Sequence, residues 1–258
     1  MKLHQLEEKI NNSASLDFGE VFGESLDLFK KVWIQGVVFL ILNLLLLLPA
    51  YLLLYIPILS LGVYGAEMYE GDVDFGIYST LFAVLLLVFF TFYTLLVTFA
   101  VRAAFYKICR KQDLNLQESE NYFYFFKRKY LAKILQLSLV VVAIFVVAMF
   151  LCMLPIIYVS VPIAFVFIVF AFNPELSFKE IIKVSFAIGN KKWLLSFGLT
   201  LVAGFLAQTV GVMLCFVGIL ATASFAMIPN YIIYKKTIGF EEPDTEGRST
   251  NNELFLKK

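Results

Sequence analysis

The sequence predicts an all-α integral membrane protein: six transmembrane helices arranged as three hairpins, each preceded by a cytoplasmic amphipathic helix. Three observations carry this expectation. The chain has 258 residues, 60% of them hydrophobic and only 16% charged, leaving too little polar surface to cover a soluble domain. Charge is missing altogether from residues 32–66, 75–101, 134–173 and 194–234, and a spanning helix needs roughly 20 apolar residues. Two stretches also match without a gap: DFGEVFGESLDLFKKVW at 17–33 and SFKEIIKVSFAIGNKKW at 177–193. They share Phe18/Phe178, Glu20/Glu180, Ser25/Ser185, Lys31/Lys191 and Trp33/Trp193, the mark of an internal repeat.

Taken in order, residues 1–16 are polar and predict a short or frayed helix. Both repeat blocks open on a capping pattern, Asp17-x-x-Glu20 and Ser177-x-x-Glu180, in which a side-chain oxygen takes one of the first free amides. A fainter third copy starts at Asn115-x-x-Glu118 and ends at Lys129. Amphipathic interfacial helices are therefore expected at about 17–31, 115–130 and 177–191. In the first, Phe18, Val21, Phe22, Leu26 and Phe29 form the apolar stripe of a helix lying on a membrane. In the third copy, Leu116, Ser119, Phe123, Phe126 and Tyr130 could share a helical face, although YFYFF would also suit a strand. Trp33 and Trp193 stand where indoles anchor at headgroup level.

Spans are expected at about 33–55, 77–101, 134–153, 157–172, 194–211 and 216–234. The uncharged run 32–66 is longer than one hydrocarbon thickness, so its first span should kink near Pro49 and Pro57 and continue out of the membrane. Pro229 and Asn230 should kink the sixth, with Asn230 satisfying a freed carbonyl. Residues 237–258 have the composition of a disordered tail. With the spans so placed, all 21 lysines and arginines fall on one side. The positive-inside rule then puts both termini and the three interfacial helices in the cytoplasm.

No predicted span carries Asp, Glu, Lys, Arg or His away from its ends, which argues against proton-coupled transport. Asn43, Thr94, Thr98 and Gln208 remain as lining for a polar cavity, or as hydrogen-bonding groups between helices. Small residues mark one face of the fifth span, Ser196, Thr200, Gly204, Ala207 and Gly211, and Gly218 in the sixth could meet it. Lys30, Lys31, Lys127, Arg128, Lys129, Lys179, Lys183, Lys191 and Lys192 could bind anionic lipid headgroups. Their short groups at helix ends lack a nucleic-acid reading module.

Three cysteines and one histidine give no metal-ligand spacing, and no catalytic group, cofactor site or metal site is expected. Glu67, Glu70, Asp72 and Asp74 lack calcium-loop spacing and read as a solvated loop. Cys152 and Cys215 fall at similar outer depth, where a disulfide is conceivable. Cys109 sits between Lys107 and Arg110, a setting that lowers a thiol pKa.

The last third runs NPELSFKEIIKVSF, a KKW entry, the glycine-bearing GVMLCFVGILATASF and a closing IIYKKTIGF. This pattern resembles the six-helix membrane domain attached to some glycerophosphodiester phosphodiesterases, chiefly over 173–240 and more loosely over 18–49. The resemblance implies the same architecture and a bacterial cytoplasmic (inner) membrane. It carries over no enzymatic role, because no catalytic barrel follows Phe240.

The expected function is that of a non-catalytic scaffold or accessory subunit engaging membrane lipids and a partner membrane protein or a second copy. A transporter for a neutral or amphipathic solute is the alternative. Topology is directly measurable: reporter fusions should place residue 70 outside and residues 115 and 245 inside, and one disagreement removes the six-span arrangement.

Overall fold

A computed structural model describes residues 1–68, 73–117, 119–151, 154–214 and 217–240. Within them the chain is all α: α1 (Leu3–Asn12), α2 (Phe18–Met68), α3 (Val73–Asp113), α4 (Arg128–Phe150), α5 (Leu154–Phe172), α6 (Phe178–Lys191), α7 (Trp193–Met213), α8 (Val217–Thr222) and α9 (Ile228–Thr237). Five of these, α2, α3, α4, α5 and α7, are long and apolar enough to cross a membrane. Their outward surfaces are apolar: Phe150 is 85% exposed, Leu194 and Met213 78% each.

Helix α5 is the hub. Its second half is buried at Phe165, Val166, Ile168, Val169, Phe170 and Ala171, and it packs against α3, α4, α6, α7 and α9. Pro162 lies inside it. A proline has no amide hydrogen for the carbonyl four residues earlier, here that of Tyr158. The indole N–H of Trp193 takes its place, donating to the Tyr158 carbonyl at 2.9 Å. At the same level Gly189 of α6 is seated so close that a Cβ would lie 2.8 Å from Pro162 Cα. Trp193 was expected as a headgroup anchor; its N–H is instead spent on the carbonyl that Pro162 frees.

Four expectations need correction. The block at 17–31 is no separate interfacial helix: it opens α2, which continues unbroken past Trp33, Pro49 and Pro57 to Met68. Its apolar stripe meets protein, with Val21, Leu28 and Val32 buried and Phe29 lying 5.2 Å from the Phe225 ring. In the turn that Pro49 loosens, Tyr93 of α3 donates to the Leu46 carbonyl at 2.7 Å.

The segment 115–130 is not an amphipathic helix. Asn115 has φ +50°, and the Leu116 amide bonds the Lys111 carbonyl at 2.9 Å, the six-to-one closure of a Schellman motif. Asn115 therefore ends α3 instead of starting a helix; Glu118 lies outside the described residues. Asn121 Oδ1 accepts from the Phe123 amide at 2.9 Å, and a single 3-10 turn, Tyr124–Phe126, follows. Phe125 is completely buried, its ring 5.0 Å from Phe170 and 5.2 Å from Tyr130. One deep aromatic anchor and an Asx turn fix this connector, and both compete with a helical run.

The block at 177–191 is a helix, α6, with its capping box formed: Ser177 Oγ accepts from the Glu180 amide and Glu180 receives the Ser177 amide. Its apolar face meets protein rather than an interface, burying Ile181, Val184 and Ile188 against α5 and α1.

The expected sixth span is broken among the described residues into α8, a 3-10 turn at Ala223–Met227 and α9. Pro229 occupies the first turn of α9, where its missing amide costs nothing. The turn is also held by α2, for a Cβ on Gly36 would collide with the Ser224 side chain. Asn230 does not back-bond a freed carbonyl; it reaches across to α7.

The Pro162–Trp193 pairing gives a sharp stability test. Trp193→Phe leaves the Tyr158 carbonyl unpaired and should cost about 1–3 kcal/mol. In a Pro162→Ala background, where residue 162 again carries an N–H, that cost should shrink to within about 0.5 kcal/mol of zero. Equal costs in both backgrounds, measured by denaturant unfolding, would sever the link between the two residues.

Candidate functional site

Among the described residues, charged side chains from several helices meet at one pole. Lys236 at the end of α9 reaches Glu20 and Glu24 of α2, each at 2.7 Å, and the Glu20 hydrogen bond, followed by that of Glu24, raises its pKa. Asp113 at the end of α3 accepts from Lys235 at 2.8 Å and from the Tyr231 hydroxyl at 2.9 Å. Asn173, just past α5, donates to the Tyr234 hydroxyl at 2.7 Å. So α2 starts at this pole, while α3, α5 and α9 end there.

Several lysines expected to meet lipid are committed to α1. Lys191 Nζ donates to the Ile10 and Asn11 carbonyls at 2.7 Å each, satisfying the free acceptors at the C-terminus of α1, where a cation is favoured. Lys192 Nζ bonds the Ala14 carbonyl; the side chain is buried, and that burial, followed by the Lys191 charge, lowers its pKa. Lys183 pairs with Glu7 at 2.6 Å, and Lys9 donates to the Ile238 carbonyl at 2.9 Å. Helix α1 is thus a docked element, with Leu6 and Ile10 fully in the core, and not a frayed one. Lys30 pairs with Asp27 at 2.9 Å, Lys31 lines a mixed-charge cleft with Asp113 and Lys235, and Lys179 lies 6.0 Å from the Phe178 ring. Arg128 is exposed, and Lys129 lies 4.6 Å from the Tyr130 ring.

The arrangement that leaves positive charge available is a cleft of about 410 Å³ between the last turns of α3 and the aromatic connector, lined by Lys107, Ile108, Lys111, Ser119, Asn121, Tyr124 and Lys127. Lys107 Nζ stands 3.7 Å from the Tyr124 ring centre, and Lys127 Nζ 5.3 Å. Lys111 is held by Glu120 at 3.4 Å, a carboxylate that also accepts from Gln112 at 2.8 Å. Among the described residues no carboxylate bridges Lys107 or Lys127. The Tyr130 hydroxyl donates to that of Tyr124 at 3.3 Å; this bond, with the Lys107 charge adding to it, holds the Tyr124 pKa below its usual value. Lys107 and Lys111 were not among the expected headgroup ligands, because residues 102–130 read as a connector and not as the last turns of α3. The signal was their spacing, i and i+4 on one helix face.

Of the proposed cavity residues, Gln208 is exposed on α7, Asn43 and Thr98 are half-buried on the neighbouring helices α2 and α3, and Thr94 bonds its own helix at the Thr91 carbonyl, 2.9 Å away. The small-residue face of α7 packs on the broken segment. Ser196 Oγ bonds Asn230 Oδ1 at 2.5 Å, and Asn230 Nδ2 donates to Thr200 Oγ1 at 3.2 Å. Ala207 accepts from Thr222 at 2.7 Å. A Cβ on Gly211 would stand 2.9 Å from the Ile219 backbone, and one on Gly218 would stand 3.1 Å from Gly211 Cα. Gly204 faces Ala226 at ordinary distance, 3.9 Å. Trp33 is 45% exposed. Cys109 is completely buried, so its basic neighbours expose no reactive thiolate. Cys152, Cys215, the tail 241–258 and the side chains of Glu67, Glu70, Asp72 and Asp74 lie outside what is described.

Comparison with protein-family models, curated proteins and solved structures finds no match.

If the α1 dock is as tight as its contacts imply, trypsin should reach Lys9 at least about ten-fold faster in a Leu6→Asp chain than in the parent. Lys30→Ala should leave the rate unchanged. Equal cleavage in the parent and Leu6→Asp would mean that α1 is already loose.

Proposed function

We propose that this chain is a non-catalytic integral membrane protein, a scaffold or accessory subunit that engages anionic lipids and a partner membrane protein or a second copy. Six segments, paired as three hairpins, sit in a bacterial cytoplasmic membrane with both termini and the charged pole on the cytoplasmic side. The observation that carries this reading is the bare apolar stretch of α2 and α3 away from the pole. Leu44, Leu45, Leu48, Leu52 and Leu53 on α2 are exposed, as are Leu81, Phe82, Val84, Leu85, Leu87, Val88 and Phe89 on α3. Successive residues turn by ~100°, so these seven positions cover all of α3 but the side of Leu86 and Phe90, where the Phe90 ring lies 5.0 Å from Tyr51 of α2. An apolar surface this broad suits lipid and another membrane helix, and no water.

The broken segment α8–α9 favours the second reading, transport of a neutral or amphipathic solute, because discontinuous helices recur at transporter sites. Against it, the polar groups beside the break, Ser196, Thr200 and Asn230, are spent on one another.

Native mass spectrometry after gentle extraction from the source membrane separates the two. A stoichiometric protein partner, or a dimer with retained anionic lipid, is the expected result. A monomer that retains neither, and passes a neutral solute across vesicles, would transfer the role to transport.

A further inference from the structure

We infer that the cleft between α3 and the aromatic connector is a headgroup site for one phosphate-bearing anionic lipid; this rests on the lipid-engaging function proposed above. Three features of the cleft select that ligand. Lys107 is half-buried and Lys127 exposed, and among the described residues both face π electrons instead of a carboxylate. An ammonium partly withdrawn from water without a counter-anion is costly, and an aromatic face offsets only part of that cost. Lys111 brings a third ammonium, shared with Glu120, while Ser119 and Asn121 complete the lining with a hydroxyl and an amide able to donate to phosphate oxygens.

Apolar residues flanking the lining in sequence then choose between a lipid and a free anion. Phe123, which precedes Tyr124, is 53% exposed, and Leu114, just past α3, is 41% exposed. A polar floor with such apolar neighbours, at the end of a membrane-length helix, matches an amphipathic ligand whose acyl chains continue along the helices. Free phosphate would use the floor alone.

The test uses the full chain, purified in a mild detergent and titrated by native mass spectrometry with phosphatidylglycerol, with phosphatidylcholine and with inorganic phosphate. The parent should bind one phosphatidylglycerol in preference to phosphatidylcholine. Lys107→Gln and Lys127→Gln should each weaken that binding about five-fold, Lys107→Arg should restore most of it, and Lys30→Gln, at a paired surface lysine, should leave it unchanged. Preference for phosphatidylglycerol that survives Lys107→Gln/Lys127→Gln in a folded chain overturns the cleft assignment while leaving lipid engagement standing. No preference in the parent removes both. Displacement of the lipid by equimolar inorganic phosphate overturns the lipid as ligand and gives the cleft to a free anion.

Discussion

A single missing amide hydrogen organises the middle of this protein. Pro162 sits inside α5, the most enclosed of the long helices, and leaves the Tyr158 carbonyl without an intrahelical donor. In apolar surroundings such a group needs a partner, and the indole of Trp193 supplies it. The contact fixes where α6 ends and α7 begins, because Trp193 must stand beside α5 just as Gly189 passes the proline ring. From there α7 carries Ser196 and Thr200 to Asn230, and α9 returns Tyr234 to Asn173 at the far end of α5. The polar bonds thus link α5, α7 and α9 in a ring. Apolar helices gain little from touching each other over touching lipid, so directional bonds and close glycine contacts are what select one packing.

The pole works by the same logic with charges. Lys236 joins the end of α9 to the start of α2, and Asp113 joins α9 to the end of α3. Exposed ion pairs contribute little singly, yet here they share partners across three helices, and the ends of those helices are where direction is decided. The docked helix α1 extends the arrangement. Lys191 bonds its last carbonyls and Lys192 the Ala14 carbonyl just beyond, so residues that look like headgroup ligands hold backbone instead. The α3 cleft differs in bringing three lysines, Lys107, Lys111 and Lys127, to one lining.

The all-helical class and most helix positions were legible in the sequence, because uninterrupted apolar length and two capping patterns are local signals. Ser177–Glu180 folds as a capping box, and Asp17 Oδ1 accepts from the Glu20 amide at 2.9 Å. Tertiary facts were not legible. Asn115 reads equally as an N-cap or as a left-handed C-terminal residue, and the closure by Leu116 on Lys111 decides it. The stripe of Phe22 and Phe29 cannot say whether it meets lipid or Phe225. Within the candidate site, Lys127 was apparent from its place in the basic group that ends the third copy, whereas Lys107 and Lys111 needed the connector folded back over α3.

The two matching blocks show how far local chemistry reaches. Ser25 bonds the Val21 carbonyl at 2.6 Å and Ser185 the Ile181 carbonyl at 2.7 Å, both hydroxyls buried. At these two serines the blocks make the same local bond. They part at the Lys–Trp ending. After Lys31 the helix runs on through Trp33, whereas after Lys191 the backbone leaves helical geometry at Lys192, with φ −112° and ψ 21°. Nothing in the shared residues forces the break. The second copy carries Lys192 where the first has Val32, and its ending meets acceptors: α1 carbonyls receive Lys191, the Ala14 carbonyl receives Lys192, and a proline-freed carbonyl receives the tryptophan. The same motif therefore yields a continuous helix where its polar ends meet no acceptor, and a corner where acceptors from other helices capture them.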